Sequence, residues 1–230
     1  MNRGIFIAGN ESSLSKAIEN ETIKRAEKFA AALIPNRLSV RGTPPHEAAP
    51  KNPPAETERR IALDWNPSSP ISARTLVIAA ENRLENIDDA ILVCSPPSIR
   101  SSAPELSISD IEILFNDHVK GWFFLIKEIT ALFSSRKHGT LALVYPDINS
   151  SSAKDEAADI LGPSALASFR VFTQALLSAA HNDSYITAGF STSDAGNEAA
   201  FAAYIFKNID EKNRRTNGKL HKFGKFSFFK

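Results

Sequence analysis

The stretch "GIFIAGNESSLSKAI", residues 4–18, joins a short apolar run to an amphipathic segment through a polar turn. A continuous apolar run of this length is typical of a parallel strand that is buried on both faces. Ser12 or Ser13 can cap a following helix, because a serine oxygen accepts a hydrogen bond from a free N–H group of the first turn. The stretch therefore predicts a strand, a turn and a helix, which together open an α/β fold.

The same alternation continues along the rest of the chain. Short apolar or alternating runs predict further strands at residues 37–42, 60–65, 89–95, 140–146, 184–190 and 218–226. Amphipathic segments predict the helices between them. The first helix is expected to run from the serine cap to residue 34, the longest from a cap near Ser109 to residue 139, and the others over 69–82, 160–180 and 196–209.

Strands that alternate with helices, without an internal repeat, predict a parallel, doubly wound sheet. We expect a single Rossmann-like α/β domain over residues 1–230, with about seven strands and with helices on both faces of the sheet. The Pro-rich segment 43–58 has no periodicity and is predicted to be a surface loop of that domain. Ligands of such sheets bind at the carboxyl ends of the strands, so candidate site residues are sought there.

The composition is that of an ordinary globular protein and argues against several classes of function. The 230 residues carry a formal net charge of +1, which gives the molecule as a whole no attraction for nucleic acid. Cys94 is the only cysteine, so neither an intramolecular disulfide nor a cysteine-based zinc site is expected, and the five histidines lack ligand spacing. No apolar stretch approaches the length that spans a bilayer, and we expect a cytoplasmic protein without metal or membrane contacts.

The segment 207–230 is basic and interleaved with phenylalanines. This pattern suits nucleic acid or an anionic membrane, but it also suits a strand and tail that are buried across a subunit interface. We favour the interface, because phenylalanines exposed on a monomer promote aggregation. His181, Asp183 and Ser184 share the composition of a hydrolytic triad, but the chain lacks a G-x-S-x-G turn and a hydrolase is not expected.

Six motifs, taken in order, resemble those of the short-chain dehydrogenase/reductase family over nearly the whole chain. They are "IAGNESSLSKAI" (7–18), "IALDWNPS" (61–68), "DDAILVCSPP" (88–97), "HVKGWFF" (118–124), "GTLALVYP" (139–146) and "NGKLHKFGK" (217–225). In the family, the first of these is a strand followed by T-G-x-x-x-G-x-G, and the fourth is N-x-x-G-x-F. The resemblance implies a Rossmann-like fold, an NAD or NADP cofactor and subunits that associate through two long helices.

The cofactor-binding part of this resemblance is incomplete. In the phosphate loop only one family glycine is matched, and serines stand at the other two positions, where a Cβ atom narrows the approach of a pyrophosphate. The resemblance assigns cofactor contacts to Gly9, Ser12, Ser13, Ser15, Arg41, Asp64 and Cys94. Asp64 would contact the adenine ring, and Arg41 would favour NADP over NAD. A plain helix cap by the serines is the alternative, because a polar cap needs no ligand.

The family's catalytic tetrad of Asn, Ser, Tyr and Lys is absent from the aligned positions. The alignment puts His118 at the Asn position, Tyr145 at the Ser position, Gly162 at the Tyr position and Leu166 at the Lys position. Neither Gly162 nor Leu166 can transfer a proton, and the chain contains no Y-x-x-x-K sequence. Tyr145 and His118 are the remaining candidates for acid–base catalysis, with a packing tyrosine and a structural histidine as the alternatives.

Three functions are therefore open. The first is a non-catalytic structural or regulatory partner, which forms a homodimer or homotetramer, or joins a hetero-partner, through helices 110–135 and 164–180. The second is an NAD(P)-dependent oxidoreductase with an atypical site, and the third is a sensor that binds a dinucleotide or another small ligand. The loop "STSDAGN" (191–197) leaves little chain to cover a substrate, which favours the first function.

Overall fold

A computed structural model describes residues 3–25, 27–35, 59–97, 102–147, 159–211 and 216–224. Its strands form one parallel sheet in the order β3-β2-β1-β4-β5-β6-β7. They are β1 Gly4–Asn10, β2 Lys28–Ile34, β3 Arg60–Ala62, β4 Asp89–Val93, β5 Thr140–Pro146, β6 Ile186–Thr192 and β7 Lys219–Phe223. The order reverses between β1 and β4, and this reversal is where a doubly wound sheet opens a crevice for ligands.

Helices cover both faces of the sheet. They are α1 Ser13–Lys24, α2 Pro70–Leu84, α3 Ile108–Phe115, α4 Gly121–Arg136, α5 Leu161–Ala179 and α6 Glu198–Asp210, and a π-helical turn at Asn116–Lys120 joins α3 to α4. Alternate residues of a strand point to opposite faces. Ile5 and Ile7 of β1 accordingly pack with α1 and α6, whereas Phe6 and Ala8 pack with α2, α4 and α5. The predicted fold class, a doubly wound parallel sheet of seven strands, is confirmed.

The prediction of one long first helix is wrong. Helix α1 ends at Lys24, and residues 28–34, "KFAAALI", form β2 between β1 and β3. Alanine favours helices in isolated peptides. In β2, however, three alanines and one phenylalanine are buried in the sheet, and this tertiary burial outweighs the local preference for a helix. The strand predicted at 37–42 and the loop predicted at 43–58 lie outside the described residues.

Smaller differences concern the ends of elements. The helix predicted from a cap near Ser109 to residue 139 is two helices, and the first of them is capped by Ser107, whose Oγ accepts a hydrogen bond from the N–H of Asp110 at 3.0 Å. The third strand is shorter than predicted and ends at Ala62. No helix in the part of the chain that the structure describes is long and apolar enough to cross a membrane. Among the same residues, no group of three or more His, Cys, Asp or Glu side chains is placed to hold a metal ion.

Candidate functional site

The carboxyl ends of β1 and β4 meet at the reversal of strand order, and Gly9 lies at this contact. A Cβ atom at Gly9 would overlap the carbonyl oxygen of Val93, which is paired with Gly9 in the sheet. The close approach of the two strands therefore requires glycine at this position. The single glycine that matches the family's phosphate loop has a structural reason that is independent of any ligand.

Asn10, the last residue of β1, links the carboxyl ends of β1 and β4 next to this contact. Its Oδ1 accepts a hydrogen bond from the N–H of Ser95 at 3.0 Å, and its Nδ2 donates to the carbonyl oxygen of the same residue. Asn10 is buried, and both ends of its amide are used in this bridge. The ends of β1 and β4 are thus held together by a side chain at the point where the strand order reverses.

The amino end of α1 carries the three serines that the resemblance assigns to a cofactor. Ser12 and Ser15 form a reciprocal capping box, in which the Ser12 Oγ accepts from the Ser15 N–H at 3.1 Å and the Ser15 Oγ accepts from the Ser12 N–H at 2.9 Å. The Ser13 hydroxyl donates to the carboxylate of Glu198, at the start of α6, over 3.1 Å. A carboxylate thus already faces the positive end of the α1 dipole, and an incoming pyrophosphate would meet like charge there.

The two positions that should hold the catalytic Tyr and Lys are packed against protein. The Gly162 N–H donates to Asp159 Oδ1 at 3.0 Å, and a Cβ atom at Gly162 would lie 2.9 Å from both the carbonyl oxygen of Pro97 and the other carboxylate oxygen of Asp159. Leu166, one turn later on α5, packs against the hydrophobic core beneath α4 and α5. Position 162 therefore has no room for a side chain unless its neighbours move, and position 166 carries a half-buried apolar side chain.

Tyr145 is buried in the core at the end of β5, with 1% of its surface exposed. Its ring meets the ring of Phe169 edge-on at 6.1 Å, and its hydroxyl lies beside Ser191. Burial raises the pKa of Tyr145, the nearby carboxylate of Asp147 raises it further, and the opposing effect of Arg170 is smaller. Arg170 is also paired with Asp147 at 3.6 Å. Tyr145 therefore stays protonated at neutral pH and is poorly suited to act as a base.

His118 does reach the carboxyl edge of the sheet. It is buried in the π-helical turn between α3 and α4, and such turns occur frequently at functional sites. Together with Glu11, Ser12, Ser95 and Asp117, it lines a cavity of about 180 Å³. This cavity is smaller than the ~300–1,000 Å³ that small-molecule sites usually enclose. The structure thus brings Ser12 and His118 together, whereas Tyr145 does not line this cavity.

The remaining cofactor candidates are dispersed. Cys94 is fully buried beside Trp122, and burial raises the pKa of its thiol far above the ordinary value, so the thiolate form is suppressed. Asp64 is exposed just beyond the end of β3. Arg41 lies outside the described residues. Cofactor binding by these residues stays a prediction, and the structure gives Ser12, Ser13 and Ser15 partners within the protein.

Sequence reasoning missed the residues that close this edge. Asn10 directly follows the apolar run of residues 4–9, so a polar side chain at the crevice could have been predicted from the sequence. Glu198 carried no such signal, because it meets Ser13 across 185 residues of sequence. Asp159 likewise follows a segment without regular periodicity, so its hydrogen bond to Gly162 could only be seen in three dimensions.

Comparisons with known proteins give a consistent result for the fold. No protein-family model matches this chain, and no curated protein matches it by sequence. A short-chain dehydrogenase from Leptospira borgpetersenii with bound NAD+ is similar to it in structure, with a TM-score of 0.75 at 11% identity, over 96% of this chain and 91% of that chain. A short-chain dehydrogenase from Bacillus anthracis gives a TM-score of 0.71 at 12% identity, over 96% and 94% of the two chains.

A serine dehydrogenase from Escherichia coli is similar as well, with a TM-score of 0.67 at 12% identity, over 96% of each chain. Identities this low carry no information about activity, but agreement over almost the full length of each chain defines the architecture. The chain has the short-chain dehydrogenase fold over nearly its whole length.

Proposed function

We propose that this protein is a non-catalytic version of its fold and serves as a self-associating structural or regulatory partner. The observation that carries the proposal is the packing at Gly162, where the backbone of Pro97 and the carboxylate of Asp159 occupy the space that a catalytic side chain needs. A proton donor or acceptor must come within hydrogen-bonding reach of the reacting group. Position 162 offers no such group, and Leu166 offers only a half-buried apolar side chain that packs against the core.

The amino end of α1 supports the same proposal. Ser12 and Ser15 satisfy each other's backbone N–H groups, so these donors are not free to bind phosphate. The Glu198 carboxylate adds a negative charge beside Ser13. The connection between β6 and α6 consists of residues 193–197 only, which is too little chain to close over a substrate and exclude water.

An apolar surface on the helices provides the site of association. Phe115, Phe123 and Val171 are 54%, 51% and 60% exposed, and the rings of Phe123 on α4 and Phe172 on α5 lie 4.3 Å apart. We call these four residues the α3–α5 face. Exposed apolar side chains that contact one another, as Phe123 and Phe172 do, are typical of protein interaction sites. The face lies within the helices that the sequence predicts to form an interface.

A second copy of the chain is the occupant that best suits the α3–α5 face. A two-fold axis would place the same side chains opposite one another, and apolar, uncharged groups can face their own copies without repulsion. The phenylalanine rings offer large contact areas of the kind that dominate interface energies. The proposed assembly is a homodimer or homotetramer that forms through this face. A hetero-partner that binds the same face is the alternative.

One observation favours a second candidate, a ligand sensor. His118 and Asp117 are buried at the cavity of about 180 Å³, on a π-helical turn, and this arrangement suits a small polar ligand. Such a ligand would be much smaller than a dinucleotide. The other candidate is an NAD(P)-dependent oxidoreductase with an atypical site, which the bound NAD+ of a structural neighbour supports.

The decisive experiment is a titration of the purified full chain with NADH and NADPH, followed by calorimetry, with the oligomeric state of the same sample measured by light scattering. We expect no binding of either dinucleotide up to millimolar concentration, from a protein that is folded and dimeric or tetrameric. Micromolar binding of either dinucleotide would contradict the proposal and justify a substrate screen. A folded monomer would contradict the self-association.

A further inference from the structure

A second cavity lies at the opposite edge of the sheet, at the amino ends of β4 to β7. Its volume is about 620 Å³, within the range of small-molecule sites. It lies between the turn after α4, the turn after α5 and the start of β7. We call it the base cleft, and the side chains that matter for its chemistry are Lys137, His138, His181, Asp183, Tyr185 and Lys219.

The carboxylates of the base cleft are engaged within the protein. Asp89 accepts a hydrogen bond from the Arg3 guanidinium and is almost fully buried. Asp88 accepts from the Gly4 N–H at 2.9 Å and from the Asn86 side chain at 2.8 Å. Asp183 lies beside the hydroxyl of Tyr185. Asp89 is thus paired with a guanidinium, whereas Asp88 and Asp183 keep their charges and are hydrogen-bonded by neutral groups.

The basic side chains of the cleft are less completely paired with carboxylates. Lys137 and Lys219 are exposed at its rim, and neither forms an ion pair with any residue that the structure describes. His138 approaches Asp88 at 3.6 Å, and His181 lines the wall formed by the turn after α5. Two ammonium groups and two imidazoles therefore converge on a cleft whose carboxylates already have partners.

The backbone that carries these basic groups is held in place. Lys137 ends α4 in the left-handed conformation, with φ of 55°, and its N–H donates to the carbonyl oxygen of Phe133. On the other side, the Asn217 side chain donates to the carbonyl oxygen of Ala180 and accepts from the Thr187 N–H, each at 2.8 Å. These bonds fix the start of β7 against the end of α5. A ligand would therefore bind without a large entropic cost for ordering the backbone.

We propose that the base cleft binds a small molecule that carries a phosphate or carboxylate group. The lysines would bind the anionic group, since an ammonium is a compact donor that suits phosphate and carboxylate oxygens. The volume of the cleft leaves room for an organic part beside Tyr185 and Ile186. This site is separate from the carboxyl edge and from the α3–α5 face, and the proposal stands independently of the function proposed above.

The test uses the full chain at low ionic strength, titrated by calorimetry with inorganic phosphate, glucose 6-phosphate and citrate. We expect saturable binding that weakens as salt is added, because exposed charges are screened. Amide NMR shifts should map the binding to residues 137–139, 181–186 and 217–219. Tighter binding of glucose 6-phosphate than of inorganic phosphate would identify an organic phosphate as the ligand class, and the reverse order would identify the free anion. Preference for citrate would identify a carboxylate.

Two double variants with equal loss of charge make the test specific. Lys137→Gln/Lys219→Gln should weaken binding about tenfold or more. Lys24→Gln/Lys127→Gln removes two exposed lysines that lie outside the cleft and should leave the affinity unchanged. The proposal is overturned if no probe binds at low salt, if both double variants lose affinity equally, or if the shifts map to the carboxyl edge.

Discussion

Gly9 lacks a side chain because β1 and β4 approach each other too closely for a Cβ atom. The three serines at the amino end of α1 also have partners within the chain. Ser12 and Ser15 form reciprocal capping bonds, and Ser13 donates to Glu198. At this scale, the features that resemble a cofactor site are explained by contacts within the chain. A residue that matches a family motif can therefore be required for packing, independently of any ligand.

Replacing Gly9 with alanine tests this explanation. Gly9→Ala should lower the free energy of unfolding by about 3 kcal/mol, because the new Cβ atom forces β1 and β4 apart. Urea unfolding of the purified protein measures the effect. Ser13→Ala is the control, since it removes only a hydrogen bond at the surface of α1 and should cost less than ~1 kcal/mol. Equal stabilities of Gly9→Ala and the wild type would show that the strand contact does not require glycine.

Helices α4 and α5 carry apolar side chains both toward the core and toward solvent. Trp122 and Phe169 point into the core, with ring centroids 5.1 Å apart, whereas Phe123 is half exposed and its ring lies against that of the half-buried Phe172. One helix face thus stabilises the monomer and another is left apolar toward solvent. The apolar surface is larger than a single core requires, and this excess is the reason to expect a second copy of the chain.

A charge in the α3–α5 face should prevent association. Phe123→Asp is expected to weaken self-association by about a hundredfold, roughly 3 kcal/mol, because a carboxylate would be buried opposite its own copy. Sedimentation or light scattering over a range of concentrations measures the effect. Ile71→Asp is the matched control, since Ile71 is an apolar residue on α2 that is 76% exposed and lies outside this face. If both variants assemble like the wild type, the interface lies elsewhere.

At the scale of the whole molecule, a cluster of ionic groups joins elements that are distant in sequence. Arg3 pairs with Asp89 at the start of β4, with Glu27 before β2 at 3.4 Å, and with Asp210 at the end of α6 at 2.6 Å. Arg25, after α1, also pairs with Asp210. Burial acts to raise the pKa of Asp210, but hydrogen bonds from Arg3 and Arg25 outweigh it and lower the pKa. This cluster ties the ends of α1 and α6, which cover one face of the sheet, to the starts of β1, β2 and β4.

The lowered pKa of Asp210 predicts how stability depends on pH. A carboxyl group whose pKa is depressed by folding stabilises the protein above its unfolded pKa, and this stability is lost as the pH falls through the folded pKa. Asp210→Asn should therefore destabilise the protein at about pH 7 and have a smaller effect at about pH 3. Denaturant unfolding at both pH values measures this.

The control for this experiment is Asp64→Asn, at an exposed carboxylate outside the cluster, which should change stability little at either pH. Glu27 acts in the opposite direction, since burial raises its pKa, and its titration partly offsets that of Asp210 in the wild type. The comparison between Asp210→Asn and the wild type isolates the Asp210 contribution. A destabilisation that is the same at both pH values would show that Asp210 acts through packing rather than through its charge.

The sequence by itself determined the α/β class, the parallel sheet and the positions of most strands, because buried strands and amphipathic helices are encoded by local periodicity. It also determined that the chain contains no Y-x-x-x-K sequence, since the presence of such a motif can be read without coordinates. Only the tertiary structure decided that residues 28–34 form a strand, that Glu198 meets Ser13, and that four basic side chains share the base cleft. Each of these depends on contacts between segments far apart in the chain, and burial or charge pairing at such contacts outweighs local propensity.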